Sequence, residues 1–211
     1  MEWIQIPLGP LQTNAYIVYN DEQNCLIIDP GEEETKLRQF IEQKKLTPTA
    51  IILTHAHFDH IGAVDPIRDH YKIPVYVHEE EKKWLSDSSK NGSSFFQGIQ
   101  PITARDADYL YDTQGECTIG GFSFQLFNTP GHSPGSVSFY FKQSGVVIAG
   151  DTLFQGSIGR TDLPRGNHDV LIKSIHQKLL TLPEDTYVLP GHGPVTTISQ
   201  EMNTNPFLNG F

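Results

Sequence analysis

The sequence predicts an α/β protein, specifically an αββα sandwich of two mixed β-sheets flanked by helices. Three observations predict it. Short β-branched runs bounded by Gly, Pro and Asn read as strands, and a stretch with helical spacing follows them. The same order recurs in the second half of the chain, and two strand-rich halves with helices pack most simply as two sheets covered from outside. Finally, 211 residues with 37% hydrophobic and 19% charged side chains suffice for one core, so residues 1–211 are expected to form a single domain.

In the first half, "WIQIPL", "NAYIVYN", "CLIIDPG" and "AIILTH" are the expected strands. Between the last two lies "EEETKLRQFIEQKKL", where Leu37, Phe40 and Ile41 share one helical face and the charged groups a solvated one. "PVYVH" is a further strand, and a helix is expected around "EEEKKWL". Residues 86–98, rich in Ser, Gly and Asn, form either an active-site loop or a plain connection.

In the second half, "ECTIGGFSFQLFNTPGHS", "SVSFYFK" and "GVVIAGDTLF" read as strands with turns. A helix follows in "NHDVLIKSIHQKLLTL", with Asn167 as N-cap and Ile172, Ile175, Leu179 and Leu182 at helical spacing. "TYVLPGHG" is the last expected strand.

Several classes are excluded. A formal charge of −10 argues against a nucleic-acid surface, which needs clustered Lys and Arg to displace counterions. No run approaches the roughly 18 apolar residues of a membrane span. The start "MEWIQIPLGPLQTNAY" lacks a basic region, an apolar run and a small-residue cleavage site, so a soluble, cytoplasmic protein is expected. Cys25 and Cys117 are not spaced as a metal pair and read as small hydrophobes.

The chemistry gathers at strand ends. "THAHFDH" places His55, His57, Asp59 and His60 directly after an apolar strand, and imidazole is the commonest metal ligand. His132 follows "FQLFNTPG", Asp151 follows "VVIAG" and His192 follows "YVLPG". A rigid sheet delivers such side chains into a shared cleft, and the glycines permit tight turns there. His70, His78, His168 and His176 lack this context and are read as ordinary helix or strand-end residues.

"HAHFDH", "GHSPGS", "GDTLF" and "PGHG", in this order, resemble the successive metal motifs of the metallo-β-lactamase-fold hydrolases. The resemblance implies that His55, His57 and His132 hold one divalent metal and that Asp59, His60 and His192 hold a second. Asp151 would bridge them. Asp59 and Asp151 are accordingly expected to be catalytic as well as ligating. Imidazole and carboxylate donors suit Zn, with Fe or Mn as alternatives, and two such ions would share a hydroxide that attacks a carbonyl. Asp29 resembles the family's early aspartate, which would orient a ligand histidine from behind; a turn-forming Asp before Pro-Gly is the other reading.

Within the family, "LGPLQTNAY", "GDTLF" and the late "NPF" are most similar to the glyoxalase II group, the hydroxyacylglutathione hydrolases. This implies a small-molecule thioester of a hydroxy acid, S-lactoylglutathione-like, as substrate, with no nucleic acid and no membrane as partner. The oligomeric state is left open. Two departures stand out: only "TTISQEMNTNPFLNGF" replaces the group's longer helical C-terminal part, and "GRTD" replaces its Lys-x-Tyr. Arg160 could still clamp a substrate carboxylate, or it could pair with Asp162 and hold the loop; Arg165 could likewise pair within it. Asp162 in place of a tyrosine leaves room for another low-molecular-weight thiol. The competing activities are a mononuclear-iron persulfide dioxygenase and a lactone, β-lactam or other ester hydrolase of the same fold.

Overall fold

The computed structural model describes residues 1–96, 98, 100–111 and 113–208. The chain forms two compact units, Met1–Asp112 with Thr118–Phe122, and Thr113–Cys117 with Ser123–Phe211.

The first unit is built on a six-stranded sheet of order β1-β2-β3-β4-β5-β6: β1 (Glu2–Leu8), β2 (Thr13–Tyr19), β3 (Asn24–Ile28), β4 (Thr47–Ile52), β5 (Val75–His78) and β6 (Tyr109–Tyr111). β1 to β3 pair antiparallel, whereas β3 to β6 pair parallel, so the sheet is mixed. β2 and β3 are buried almost end to end, which explains their unbroken apolar runs. The parallel step from β3 to β4 needs a crossover, supplied by α1 (Glu34–Lys44). Its Leu37 and Ile41 are buried and Phe40 packs beside them, the face its spacing predicts. α2 (Phe58–Ile61) and α3 (Val64–Tyr71) lie between β4 and β5.

The helix expected around "EEEKKWL" is instead a 3₁₀ turn, Glu79–Glu81, running on in single turns. Its hydrogen bonds, from Lys82 N to Glu79 O and from Trp84 N to Glu81 O, span only three residues. The cause is tertiary. Glu81 is fully buried rather than solvated, and its Oε2 accepts from Ala56 N at 2.6 Å, while Trp84 and Leu85 turn into the core. Cys25 is also buried, and desolvation pushes its thiol up to about 12, the state of an inert hydrophobe.

The second unit carries the sheet β14-β13-β10-β9-β8-β7, from β7 (Gly115–Ile119), β8 (Phe122–Asn128), β9 (Val137–Phe141), β10 (Val146–Gly150), β13 (Tyr187–Pro190) and β14 (Thr196–Thr197). β10 and β13 are parallel; β8–β9, β9–β10 and β13–β14 are antiparallel. β11 (Leu153–Phe154) and β12 (Ser157–Ile158) form a separate hairpin. α4 (His168–Ser174) begins at Asn167, whose Oδ1 accepts from Val170 N at 3.0 Å as the sequence predicts, and continues as a π-helical turn, Ile175–Leu179. Leu171, Ile175 and Leu179 make its buried stripe, with Ile172 and Leu182 at the margin. Two mixed sheets with helices are thus the secondary-structure content of the predicted fold class.

α5 (Ile198–Thr204) explains the late "NPF". Its buried Glu201 accepts from Thr196 Oγ1 at 2.5 Å, Gly156 N at 2.8 Å and Asn205 Nδ2 at 2.8 Å, and Asn205 Nδ2 also reaches Ser157 O. This carboxylate ties the β11–β12 hairpin to the C-terminal helix. Glu201→Ala strands buried donors, each costing about 1–3 kcal/mol, so a urea titration should show a loss of about 3 kcal/mol.

Candidate metal centre

In the first unit, β4 hands the chain to Leu53 and Thr54 and then to His55, His57 and His60, all buried. His57 begins α2 with extended backbone, and that single turn carries Asp59 and His60. The imidazole rings cluster, with centroids 4.8 Å apart for His55 and His57 and 4.1 Å for His55 and His60. Asp59 Oδ2 accepts from Thr13 Oγ1 at 2.8 Å and lies 3.6 Å from His60 Nε2.

Asp29 stands behind these residues, buried and at φ 49°. Its Oδ1 accepts from Thr54 N at 2.8 Å, and its Oδ2 from Thr54 Oγ1 at 2.6 Å and His60 Nδ1 at 3.0 Å. Asp29 directly follows β3 and contacts a histidine of the first unit. Gly31 of "DPG" packs so closely on α2 that a Cβ there would sit 1.9 Å from Asp59 O.

These contacts fix tautomers. A carboxylate can only accept, so His60 carries its proton on Nδ1. The Thr54 hydroxyl spends its one proton on Asp29, so at 3.1 Å it accepts from His55 Nδ1. Both rings therefore keep the Nε2 lone pair, the form a metal ligand needs.

The second unit repeats the device. His132, after "TPG", is buried, and its Nδ1 donates to Arg160 O at 2.8 Å, leaving the Nε2 lone pair. Asp151 directly follows β10, and its Oδ2 lies 3.5 Å from both His132 Nε2 and His192 Nε2. His192 is partly exposed and meets the Phe154 ring edge-on.

The donor sets fit divalent metal. Donors bound at about 2.0–2.2 Å in tetrahedral geometry stand roughly 3.3–3.6 Å from one another, too far for a hydrogen bond. The nitrogen–carboxylate separations of 3.5 and 3.6 Å match that edge length.

Arg160 is half exposed, and its Nε and guanidinium nitrogen each donate to Asp162 at 2.7 Å. The loop pairing is thus formed, and Arg160 reaches the site through its backbone carbonyl. The guanidinium lowers the Asp162 carboxyl from 3.8 to about 2. A depressed carboxyl stabilises its folded pairing above the free value, and this contribution is lost as pH falls through about 2. His70, His168 and His176 are exposed, and His78 Nδ1 caps the 3₁₀ turn by accepting from Glu80 N.

Residues 86–98 are anchored to α2. Asn91 O accepts from Phe58 N at 3.0 Å, Asn91 and Ser93 are buried, and the Phe96 ring lies 5.2 Å from that of Phe58. Gln97 of this stretch lies outside the described residues. Thr13, Thr54, Glu81 and the Arg160 carbonyl are the supports that sequence reasoning missed.

Among the described residues no helix is long and apolar enough to cross a membrane. Residues 8–192 match the model of the Metallo-beta-lactamase superfamily. The chain is 57% identical over 211 residues, all of it and 99% of the relative, to "Probable metallo-hydrolase YqgX" of Bacillus subtilis (strain 168). It is 41% identical to "Hydroxyacylglutathione hydrolase GloC" of Haemophilus influenzae (strain ATCC 51907 / DSM 11121 / KW20 / Rd), covering 97% of this chain and 96% of that protein. The solved BLEG-1 B3 metallo-beta-lactamase superposes with TM-score 0.96 at 56% identity, covering 99% of this chain and 100% of that one. TTHA1623, solved in a di-iron-bound form, gives TM-score 0.84 at 40% identity over 97% of this chain and 100% of that one. A match that runs from the end of β1 to His192, joined by relatives spanning both chains almost completely, leaves one conclusion: the chain belongs to the metallo-β-lactamase superfamily and is a metallo-hydrolase of that fold.

Proposed function

We propose that the chain is a dinuclear-metal thioesterase of the cytoplasm, cleaving a small hydroxy acid from a low-molecular-weight thiol. The observation that carries the metal part is the set of histidines held by their Nδ1 atoms, with Nε2–carboxylate separations of 3.5 and 3.6 Å. The relative named a hydroxyacylglutathione hydrolase supports the thioester. In this reading His55, His57 and His132 hold one ion, Asp59, His60 and His192 the other, and Asp151 both. Zinc is the proposed metal, while the di-iron-bound relative makes iron the competing result.

When bound, two such ions supply an acidified water and a Lewis acid for the thioester carbonyl. The chain's own part is orientation. Asp29, Thr54 and the Arg160 carbonyl keep three imidazoles in the ligating tautomer, and the Thr13 hydroxyl holds the Asp59 carboxylate. Asp29→Asn places an amide donor against the Thr54 or His60 proton, or strands the Thr54 amide. Metal affinity, read by chelator competition, should fall about tenfold to a hundredfold. Unchanged affinity would reduce Asp29 to a turn residue.

The test is a substrate panel run on protein of measured metal content. Close to two ions per chain and turnover of S-lactoyl thioesters are expected, with a β-lactam slower. The β-lactam arm is included because the neighbour at TM-score 0.96 bears a β-lactamase name. One iron per chain with persulfide-dependent oxygen uptake would replace the proposal by the dioxygenase.

A further inference from the structure

A cavity of about 310 Å³ in the first unit has Asp59, one of the donors just described, in its wall. Its wall is mainly apolar, from Leu8, Leu11, Phe58 and Ile102, and no lysine or arginine lines it among the described residues. Two carboxylates face it, Asp59 and Glu32. The first is committed to metal in the thioesterase reading. The Glu32 carboxylate is held over the β1–β2 turn, where Gly9, at φ +64°, leaves it room; a Cβ at Gly9 would lie 2.3 Å from Glu32 Oε2. The neighbouring cation, Lys36, is taken by Pro7 O at 2.6 Å and by Glu33.

Resting on that reading, we infer that this cavity binds an uncharged, largely apolar arm of the substrate and that Glu32 is the specificity residue excluding carboxylate-bearing arms. The physical reason is twofold. An apolar wall rewards the transfer of methylene groups from water, and among the described residues it offers a carboxylate no cationic counterpart. An unneutralised Glu32 adds like-charge repulsion to that desolvation cost. A doubly carboxylated thiol such as glutathione is therefore a poor occupant, and a neutral thiol arm a good one.

The experiment compares S-lactoylglutathione with S-lactoyl-N-acetylcysteamine, which share the acyl group and differ in the charge of the thiol. Wild-type protein should favour the neutral thioester in kcat/KM. Glu32→Gln should shift the ratio about fivefold toward the anionic one, mainly through KM. A wild-type preference for S-lactoylglutathione, or a parallel change in both substrates, would overturn the inference.

If neither thioester is turned over, the thioesterase reading fails and the cavity is still tested by ligand-observed NMR on the purified full chain. Hexan-1-ol should bind and weaken on Leu11→Asp, and hexanesulfonate should bind only to Glu32→Gln. Equal binding of alcohol and sulfonate to the wild type would refute the charge filter.

Discussion

Replacing Asp151 by alanine is expected to lower kcat/KM roughly a thousandfold while the chain stays folded. The Asp151 carboxylate is nearly buried, directly follows β10, and stands 3.5 Å from the Nε2 atoms of His132 and His192. In the proposed reading it contributes to both ions, so its loss weakens both. Lewis-acid stabilisation is worth several kcal/mol, and about 4 kcal/mol corresponds to roughly a thousandfold. The fold should survive, because β10 remains paired to β9 and β13 and alanine leaves no charge stranded. Elemental analysis should show less bound metal, with an unchanged far-UV spectrum. His176→Ala, at an exposed position beyond α4, is the control and should stay within about twofold. Equal damage from both variants would mean that the ligand assignment is wrong.

Gly159→Ala should be the most damaging single-methyl change. A Cβ at position 159 would sit 1.8 Å from the Asp151 carbonyl oxygen and 3.2 Å from His132 Cβ. The first contact is backbone against backbone, so no rotamer change relieves it and the segment must move. Overpacking of this kind costs about 1–3 kcal/mol, roughly 2–12 °C in Tm for a chain of this size. The displaced segment carries Asp151, which the proposed reading makes a metal ligand. Arg160, the next residue, supplies the carbonyl that holds His132 Nδ1, so a shift of about 1 Å misplaces His132 and costs up to roughly a hundredfold in rate. Differential scanning calorimetry and kcat/KM are the two measurements. A variant with wild-type values for both would show that the Asp151 and Arg160 segments can separate without consequence.

The sequence by itself marked most of the strands, two of the helices and the donor-rich strand ends. Strands announce themselves because β-branched apolar runs suit a buried pleated sheet, and α1 because Leu37, Phe40 and Ile41 recur on one face. His55, His57, Asp59 and His60 were legible for the same local reason, a dense donor motif immediately past an apolar strand. The supports of that motif were not. Thr13 lies 46 residues from Asp59, Glu81 25 from Ala56, Asp29 31 from His60 and Arg160 28 from His132. Two of these partners are backbone groups, which every residue possesses and no motif can mark.

Tertiary structure also decided what local pattern left open or misread. "EEEKKWL" has the composition of a solvated helix, yet burial of Glu81, Trp84 and Leu85 draws it into 3₁₀ turns. Arg160 could have clamped substrate or paired at home, and only the folded loop shows its fork on Asp162. Local spacing fixes periodicity, which is a property of neighbours along the chain. Hydrogen-bond partners and steric room are properties of neighbours in space, and folding alone brings residues 46 apart to 2.8 Å.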